Sequence, residues 1–170
     1  VIEIAEFFSE KALIQKRFII EIEWLLFVLN ESFYKTIKIS KVDINKINKF
    51  KNNFDHSYAR KIKSIENKTN HDVKAVEYFI NDYFKKNKLK KFIPYVHLGL
   101  TSEDVNSLAY ALMIREIKDE TIVSINTLNK ELKSLATKYK KISFLARTHG
   151  QPASPSTPVS YTHLTLPTKA

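Results

Sequence analysis

The sequence contains no cysteine and only two glycines, five prolines and one methionine. Without cysteine there is no disulfide, no thiolate metal ligand and no thiol nucleophile, a composition that fits a reducing compartment. The longest apolar run, Trp24 to Leu29, is too short to cross a bilayer, and the charged residues around it do not fit a signal peptide. These absences exclude a disulfide scaffold and a membrane-spanning protein, and we expect a soluble cytoplasmic protein with no membrane partner.

The two glycines lie in short polar motifs that interrupt sequence otherwise typical of helices. Gly99 lies in the motif from His97 to Asp104, and Gly150 lies in the motif from Arg147 to Ala153. Glycine is favoured where the backbone needs a positive φ or must approach another group closely. We therefore look for functional residues around these two glycines.

The net charge of +10 raises the question of a nucleic-acid partner. The excess is nearly all lysine, and the densest run, residues 85–91, is typical of a solvated helix end and loop. Neither arginine-rich patches nor aromatic stacking platforms accompany the lysines. We expect no nucleic-acid partner, although a basic helical nucleic-acid-binding module remains one alternative and a non-catalytic assembly module another.

Apolar spacing predicts helices along the first half of the chain. Residues 6–35 form a wide apolar stripe, residues 43–66 a weaker one, and a short helix follows through Ile62 and Ile65. The motif Thr69–Asp72 resembles a helix start, with a hydroxyl or amide as cap and an acid in the first turn. The helix that it begins is predicted to extend to Lys86.

The longest predicted helix begins after Thr101, where Thr101 and Asp104 form a capping-box pattern. A heptad-like spacing from Thr121 to Tyr139 predicts that one face of this helix packs against partner helices. The fold class is therefore all-α. We predict an N-terminal helical domain at residues 1–98 and the truncated start of a long-helix bundle domain at 99–157.

Three polar clusters lie at helix ends or in turns beside them. They consist of Asn70, His71 and Asp72, of Thr101 and Ser102, and of His149 with Gln151. Helix N-termini offer unpaired N–H groups to anions, and histidine moves protons near neutral pH. From the residues alone, Thr101 and Ser102 are more often helix caps, and His71 is more often a structural or solvated group. For His149 a functional and a structural role are evenly balanced.

No metal or nucleotide-loop pattern competes with this interpretation. The sequence has no closely spaced histidine pair, no calcium-loop spacing and no phosphate-binding glycine motif. We predict no metal site.

The polar clusters and their surroundings resemble the adenylosuccinate lyases of the fumarase/aspartase superfamily. The resemblance is carried by residues 69–79, 97–106 and 147–157, and it extends to the N-terminal helix at residues 8–10 and 21–25. Related superfamily members carry other residues where this chain has Thr-Ser-Glu-Asp and His-Asp-Val-Lys. The likeness covers roughly residues 1–157.

The resemblance implies a lyase that releases fumarate from succinylated purine nucleotides without a cofactor. It implies that His149 is the general acid and that His71 helps to bind and orient the substrate. Substrate contacts are implied for five further residues: Asn70, Asp72, Thr101, Ser102 and Gln151. It also implies a homotetramer whose active sites combine segments of several subunits.

The chain departs from the family pattern at both ends. The family's Arg-Tyr pair near the N-terminus is missing, and its mobile loop with the serine base lies beyond the last residue. Residues 158–170 resemble a cloning junction, and we expect them to be a non-native tail. We therefore expect a fragment that is inactive alone.

Overall fold

A computed structural model describes residues 4–30 and 38–158. The helices of the described residues are α1 (Ile4–Phe7), α2 (Glu10–Asn30), α3 (Lys41–Asn52), α4 (His56–Thr69), α5 (Asp72–Lys86) and α6 (Ser102–Tyr139). A 3₁₀ helix, Lys90–Tyr95, precedes α6, and a hairpin of β1 (Phe144–Thr148) and β2 (Gln151–Ser156) follows it. The fold class predicted from the sequence, all-α, is confirmed apart from this small hairpin.

The chain divides into two units, Val1–Lys118 and Asp119–Ala170. The division falls within α6. The first unit contains the hydrophobic core, and α2 lies at its centre.

Helix α2 buries the stripe that the sequence predicts: Ile14, Phe18, Ile22, Leu25 and Leu29. These side chains pack against residues of α3, α4, α5 and the 3₁₀ helix in one cluster. The ring of Phe18 meets the edge of Phe50 with centroids 4.9 Å apart, and Phe50 stacks on Tyr83 at 3.6 Å. Burial on several sides explains why the apolar stripe is wide.

The predicted helix over residues 6–35 is split near its start. The hydroxyl of Ser9 accepts a hydrogen bond from the backbone N–H of Ala12 at 3.1 Å, so Ser9 caps α2 and separates it from α1. Residues 31–35 of that prediction lie outside the described residues.

The polar segment that follows forms two helices of similar length. Ser40 caps α3, and Asp55 caps α4 by accepting the N–H of Tyr58 at 2.9 Å. The helix predicted through Ile62 and Ile65 is therefore longer than expected, because the capping carboxylate begins it at His56.

Helix α5 agrees with the prediction in its ends and in its buried residues, which include Val73, Val76, Ile80 and Phe84. Its predicted cap was wrong. The cap is the imidazole of His71, whereas Asn70 takes the left-handed conformation that ends α4.

Helix α6 begins at the predicted capping box and extends over 38 residues. In the first unit, Val105 and Ala109 are buried in a small cluster with Ile20 and Val73. In the second unit, the predicted apolar face is largely solvent-exposed, with Ile125, Leu128 and Leu135 each at least half exposed.

The hairpin was not predicted from the sequence. Strands β1 and β2 pair antiparallel, with Thr148 opposite Gln151, so His149 and Gly150 form a two-residue turn. Both turn residues have positive φ, 50° and 76°, the conformation that matches the twist of paired strands. The prolines of β2 and the lack of polar–apolar alternation hid these strands in the sequence.

Candidate functional site

The first polar cluster lies where α4 ends and α5 begins. Asn70 has a φ of 52°, and its backbone N–H donates to the carbonyl of Glu66 at 2.8 Å. His71 follows in an extended conformation, and its Nδ1 accepts the N–H of Lys74 at 3.3 Å. Because Nδ1 serves as the cap, Nε2 is the nitrogen that is left for a ligand. Both side chains are exposed.

These residues line an open polar depression in the first unit. Its lining residues are Glu66, Asn67, Asn70, His71 and Asp72. The positive dipole end of α5 lies at this same place, although the N–H groups of Val73 and Lys74 already donate to Asp72 Oδ1 and His71 Nδ1. The structure thus brings together the three residues of the first predicted cluster.

Asp72 carries the strongest contact of this cluster, and the sequence did not reveal its partner. Its Oδ2 forms an ion pair with Nη2 of Arg17 at 2.6 Å, and Arg17 is only 7% exposed. The Nε of Arg17 also donates to Oδ1 of Asn106 on α6 at 2.8 Å. The only sequence signal was a charged residue in the apolar stripe of α2, between Ile14 and Phe18.

The second cluster lies at the start of α6. The N–H and the hydroxyl of Thr101 each donate to Oδ2 of Asp104 at 2.7 Å, and the N–H of Asp104 returns to the Thr101 hydroxyl at 3.3 Å. These bonds from Thr101 lower the pKa of Asp104. Thr101 therefore caps the helix, as one interpretation of the sequence proposed for it.

Ser102 has a different place at the same helix start. It is the first residue of α6 and is half-buried. Within the described part of the chain, all capping hydrogen bonds at this helix start involve Thr101 and Asp104. The helix-cap explanation therefore does not extend to the hydroxyl of Ser102.

The turn that leads into α6 is held by α2 at two points. His97 has a φ of 59°, and its Nδ1 lies 2.6 Å from Oε1 of the fully buried Glu21. The indole N–H of Trp24 donates to the carbonyl of Leu98 at 2.8 Å. The Glu21 contact agrees with the prediction that His97 is a satisfied packing residue, since it gives Nδ1 a buried partner.

Glu21 itself was not singled out in the sequence. Burial raises the pKa of its carboxyl, and the hydrogen bond with His97 opposes that shift. Its Oε2 has no hydrogen-bond partner among residues 4–30 and 38–158. A buried acid held by one histidine therefore supports the turn at Gly99.

The third cluster belongs to the second unit. His149 and Gln151 are both exposed, at the turn of the hairpin and at the first position of β2. Nη1 of Arg147 donates to the carbonyl of Gly150 at 3.3 Å across this turn. The left-handed backbone at His149 is uncommon for a residue with a side chain, and such conformations concentrate at functional sites.

His56, predicted to lie on the surface, is exposed and contacts Lys11. Over the described ranges, no group of three or more acidic or histidine side chains is placed to hold a metal ion. In the same ranges no helix has the length and apolar character that a membrane span requires.

The comparisons with known proteins agree on one family. A family model described as "Lyase" matches residues 4–161. The chain is 40% identical over 153 residues to adenylosuccinate lyase of Buchnera aphidicola subsp. Schizaphis graminum. The aligned region covers 88% of this chain and 34% of the relative. It is 41% identical over 162 residues to adenylosuccinate lyase of Legionella pneumophila strain Corby, covering 91% of this chain and 34% of the relative.

A third relative agrees with these two. Adenylosuccinate lyase of Escherichia coli strain K12 is 39% identical over 153 residues, again 88% of this chain and 34% of the relative. The chain thus spans about a third of the length of the curated relatives that it matches.

Proposed function

This chain belongs to the lyase family, and from that premise we propose that it is the N-terminal part of an enzyme that eliminates fumarate from adenylosuccinate. The products are fumarate and AMP. The same enzyme would act on the succinylated carboxamide ribotide of purine synthesis. The observation that carries the proposal is the identity of about 40% to adenylosuccinate lyases over most of this chain.

The reaction breaks the bond between the succinyl carbon and the purine-side nitrogen. A base removes a proton from the neighbouring succinyl carbon, and that C–H electron pair becomes the C=C bond of fumarate. The electrons of the C–N bond go to the nitrogen, which takes a proton from the general acid. We assign the acid to His149 and the base to a serine in sequence beyond this chain.

The exposed turn of the hairpin suits a proton donor. His149 lies in a two-residue turn with solvent access, so its ring can approach a substrate nitrogen without displacing packed side chains. Gln151 follows within the same hairpin and would bind the substrate beside it.

The helix starts of the first unit suit the phosphate and carboxylates of this substrate. Asn70 offers an amide, His71 its Nε2, and Ser102 a half-buried hydroxyl at the first position of α6. Thr101 would contribute chiefly through the helix start that it caps. Asp72, whose Oδ2 is paired with Arg17 and whose Oδ1 accepts the N–H of Val73, would accept a hydrogen bond from a substrate hydroxyl at the remaining lone pair of Oδ1.

The assembled enzyme would contain more than this chain. We propose that residues 1–98 form its N-terminal helical domain and that residues 99–157 begin a central bundle. The exposed apolar face of α6 in the second unit supports packing against further helices of a cytoplasmic homotetramer. No cofactor is required by this chemistry.

The test uses the full-length parent protein with its reading frame continued past Thr157. His149→Ala should lower turnover of adenylosuccinate by about 10²–10⁴-fold, the usual range for a positioned acid. His56→Ala, which removes an exposed histidine of α4, is the matched control and should leave turnover unchanged. Release of fumarate and AMP is followed by chromatography, with circular dichroism and sedimentation to verify folding. Near-parental turnover in folded His149→Ala would refute the assignment.

A further inference from the structure

We propose that Arg17 is a positioning residue that fixes the starts of α5 and α6 relative to one another. The inference rests on the proposed function, in which these two helix starts bind the substrate. It assigns no contact between Arg17 and the substrate. The guanidinium acts through the residues that it holds.

The geometry links three helices of the first unit through one side chain. Nη2 of Arg17 pairs with Asp72 of α5, while Nε donates to Asn106 of α6, at 2.6 Å and 2.8 Å. A guanidinium is planar and presents its donors in a fixed fork, so two acceptors bound at once are held in one relative orientation. A lysine ammonium has no such fork.

Both partners of Arg17 lie next to candidate substrate-binding residues. Asp72 directly follows His71. Asn106 lies four residues after Ser102, one helical turn further along the same face of α6. Holding Asp72 and Asn106 therefore fixes the direction in which His71 and Ser102 point.

Apolar packing shields the guanidinium end of this link from water, while the side chain of Asp72 remains 37% exposed. Val73 and Val105, the neighbours of Asp72 and Asn106, are fully buried in one cluster with Ile20 of α2. An ion pair that is shielded from water at one end is stronger than one that is fully exposed at both ends. The side chain of Arg17 is 8% exposed, in keeping with a fixed orientation.

A neighbouring ion pair provides the matched control. Lys16 on α2 pairs with Glu116 on α6, also at 2.6 Å, but about four helical turns beyond the start of α6. Removing it deletes an α2–α6 ion pair without touching either helix start. A general stabilising role predicts similar consequences for both pairs, whereas a positioning role predicts consequences for Arg17 alone.

The kinetic test compares Arg17→Lys, Arg17→Met and Lys16→Met in the full-length protein. We expect both Arg17 variants to lower kcat/KM by about 10²-fold, as misplacement by about 1 Å can do. Lys16→Met should remain within twofold of the parent. Arg17→Lys keeps the charge, so we expect it to recover thermal stability but not kcat/KM. Full recovery of kcat/KM by lysine, or an equal loss in Lys16→Met, would overturn the proposal.

A second measurement is independent of activity. Hydrogen–deuterium exchange of the 170-residue chain is measured by mass spectrometry for peptides that cover the two helix starts. Asn106→Leu should speed exchange at the start of α6 only, and Arg17→Lys should speed it at the starts of both α5 and α6. Unchanged exchange in Arg17→Lys would refute the link itself. Altered exchange, in a parent that shows no adenylosuccinate turnover, would instead refute the proposed function and leave the link standing.

Discussion

The two units differ in how they hold the turns around their glycines. Gly99 and Gly150 have nearly the same φ, 75° and 76°, and an added Cβ would meet no atom within 4 Å at either position. The turn at Gly99 is tied to α2 by Glu21 and Trp24, whose polar atoms bind His97 and Leu98. The turn at Gly150 is held by its own hairpin.

The difference indicates what fixes the orientation of the polar groups in each unit. In the first unit, buried charges and apolar clusters determine the orientation of the helix starts. In the second unit, His149 and the apolar face of α6 are exposed, and within the described residues the hairpin has little packing of its own. We infer that the polar groups at the helix starts of the first unit are preorganised within this chain. His149 and the apolar face of α6 in the second unit would acquire their surroundings only in the assembled protein.

The largest expected effect comes from comparing the truncation of one apolar residue in each unit. Phe50→Ala should destabilise the first unit by about 3–5 kcal/mol, because Phe50 is fully buried among aromatic rings. Leu128→Ala removes a side chain that is 59% exposed and should change the free energy of unfolding by less than about 0.5 kcal/mol. Urea denaturation followed by far-UV circular dichroism, which reports the helices of both units, measures both. A large loss in Leu128→Ala would mean that the exposed face is packed within the chain.

The second-largest expected effect comes from replacing each of the two turn glycines by alanine. Alanine at either glycine must adopt a positive φ, which costs roughly 1–2 kcal/mol without any steric contact. Gly99→Ala should lower the free energy of unfolding, because the turn is fixed by α2. Gly150→Ala should leave that value unchanged and instead speed hydrogen exchange of the hairpin. Equal shifts in the unfolding midpoint would contradict the contrast between the two turns.

A smaller effect separates the two hydroxyls at the start of α6. Thr101→Ala removes the cap and should cost about 1 kcal/mol of stability. Ser102→Ala should barely change stability but raise KM or lower kcat/KM in the full-length protein, by about 1–3 kcal/mol. Thermal denaturation and steady-state kinetics on both variants decide the matter. Unchanged kinetics in Ser102→Ala would leave this residue without a role in binding.

The smallest effect is the pH dependence of the same helix start. Hydrogen bonds from Thr101 lower the pKa of Asp104 below its usual value, so the folded state binds this proton less readily than the unfolded state. The resulting stabilisation is present above the unfolded pKa of about 3.9 and is lost as pH falls through the folded pKa. Hydrogen exchange at the first turn of α6 should therefore increase on acidification, and Asp104→Asn should remove this dependence. An identical acid response in that variant would rule out Asp104 as its source.

Local patterns in the sequence were enough to predict most of the helices. The stripe of α2, the ends of α5 and the capping box of α6 each depend on residues within a few turns of one another. The family resemblance likewise rests on short ordered stretches. These features could be read without tertiary information.

The contacts that organise the site could not be predicted in this way. Arg17, Asp72 and Asn106 come from three helices that are far apart in sequence, and no local pattern pairs them. The cap of α5 was assigned to a hydroxyl or amide because these are common capping groups, yet the imidazole of His71 takes that place. The hairpin was missed because its strands contain prolines and lack polar–apolar alternation. It became evident only from the strand pairing and the positive φ of His149 and Gly150 in the structure.

The most direct test of the account measures fumarate release from adenylosuccinate by two purified proteins. One is the full-length parent and the other is the 170-residue chain, each prepared free of host lyase. We predict that the parent releases fumarate and AMP in equal amounts and that the chain alone releases neither, because the proposed serine base lies outside it. Absence of turnover in the parent, or substrate-dependent release by the chain alone, would contradict the account.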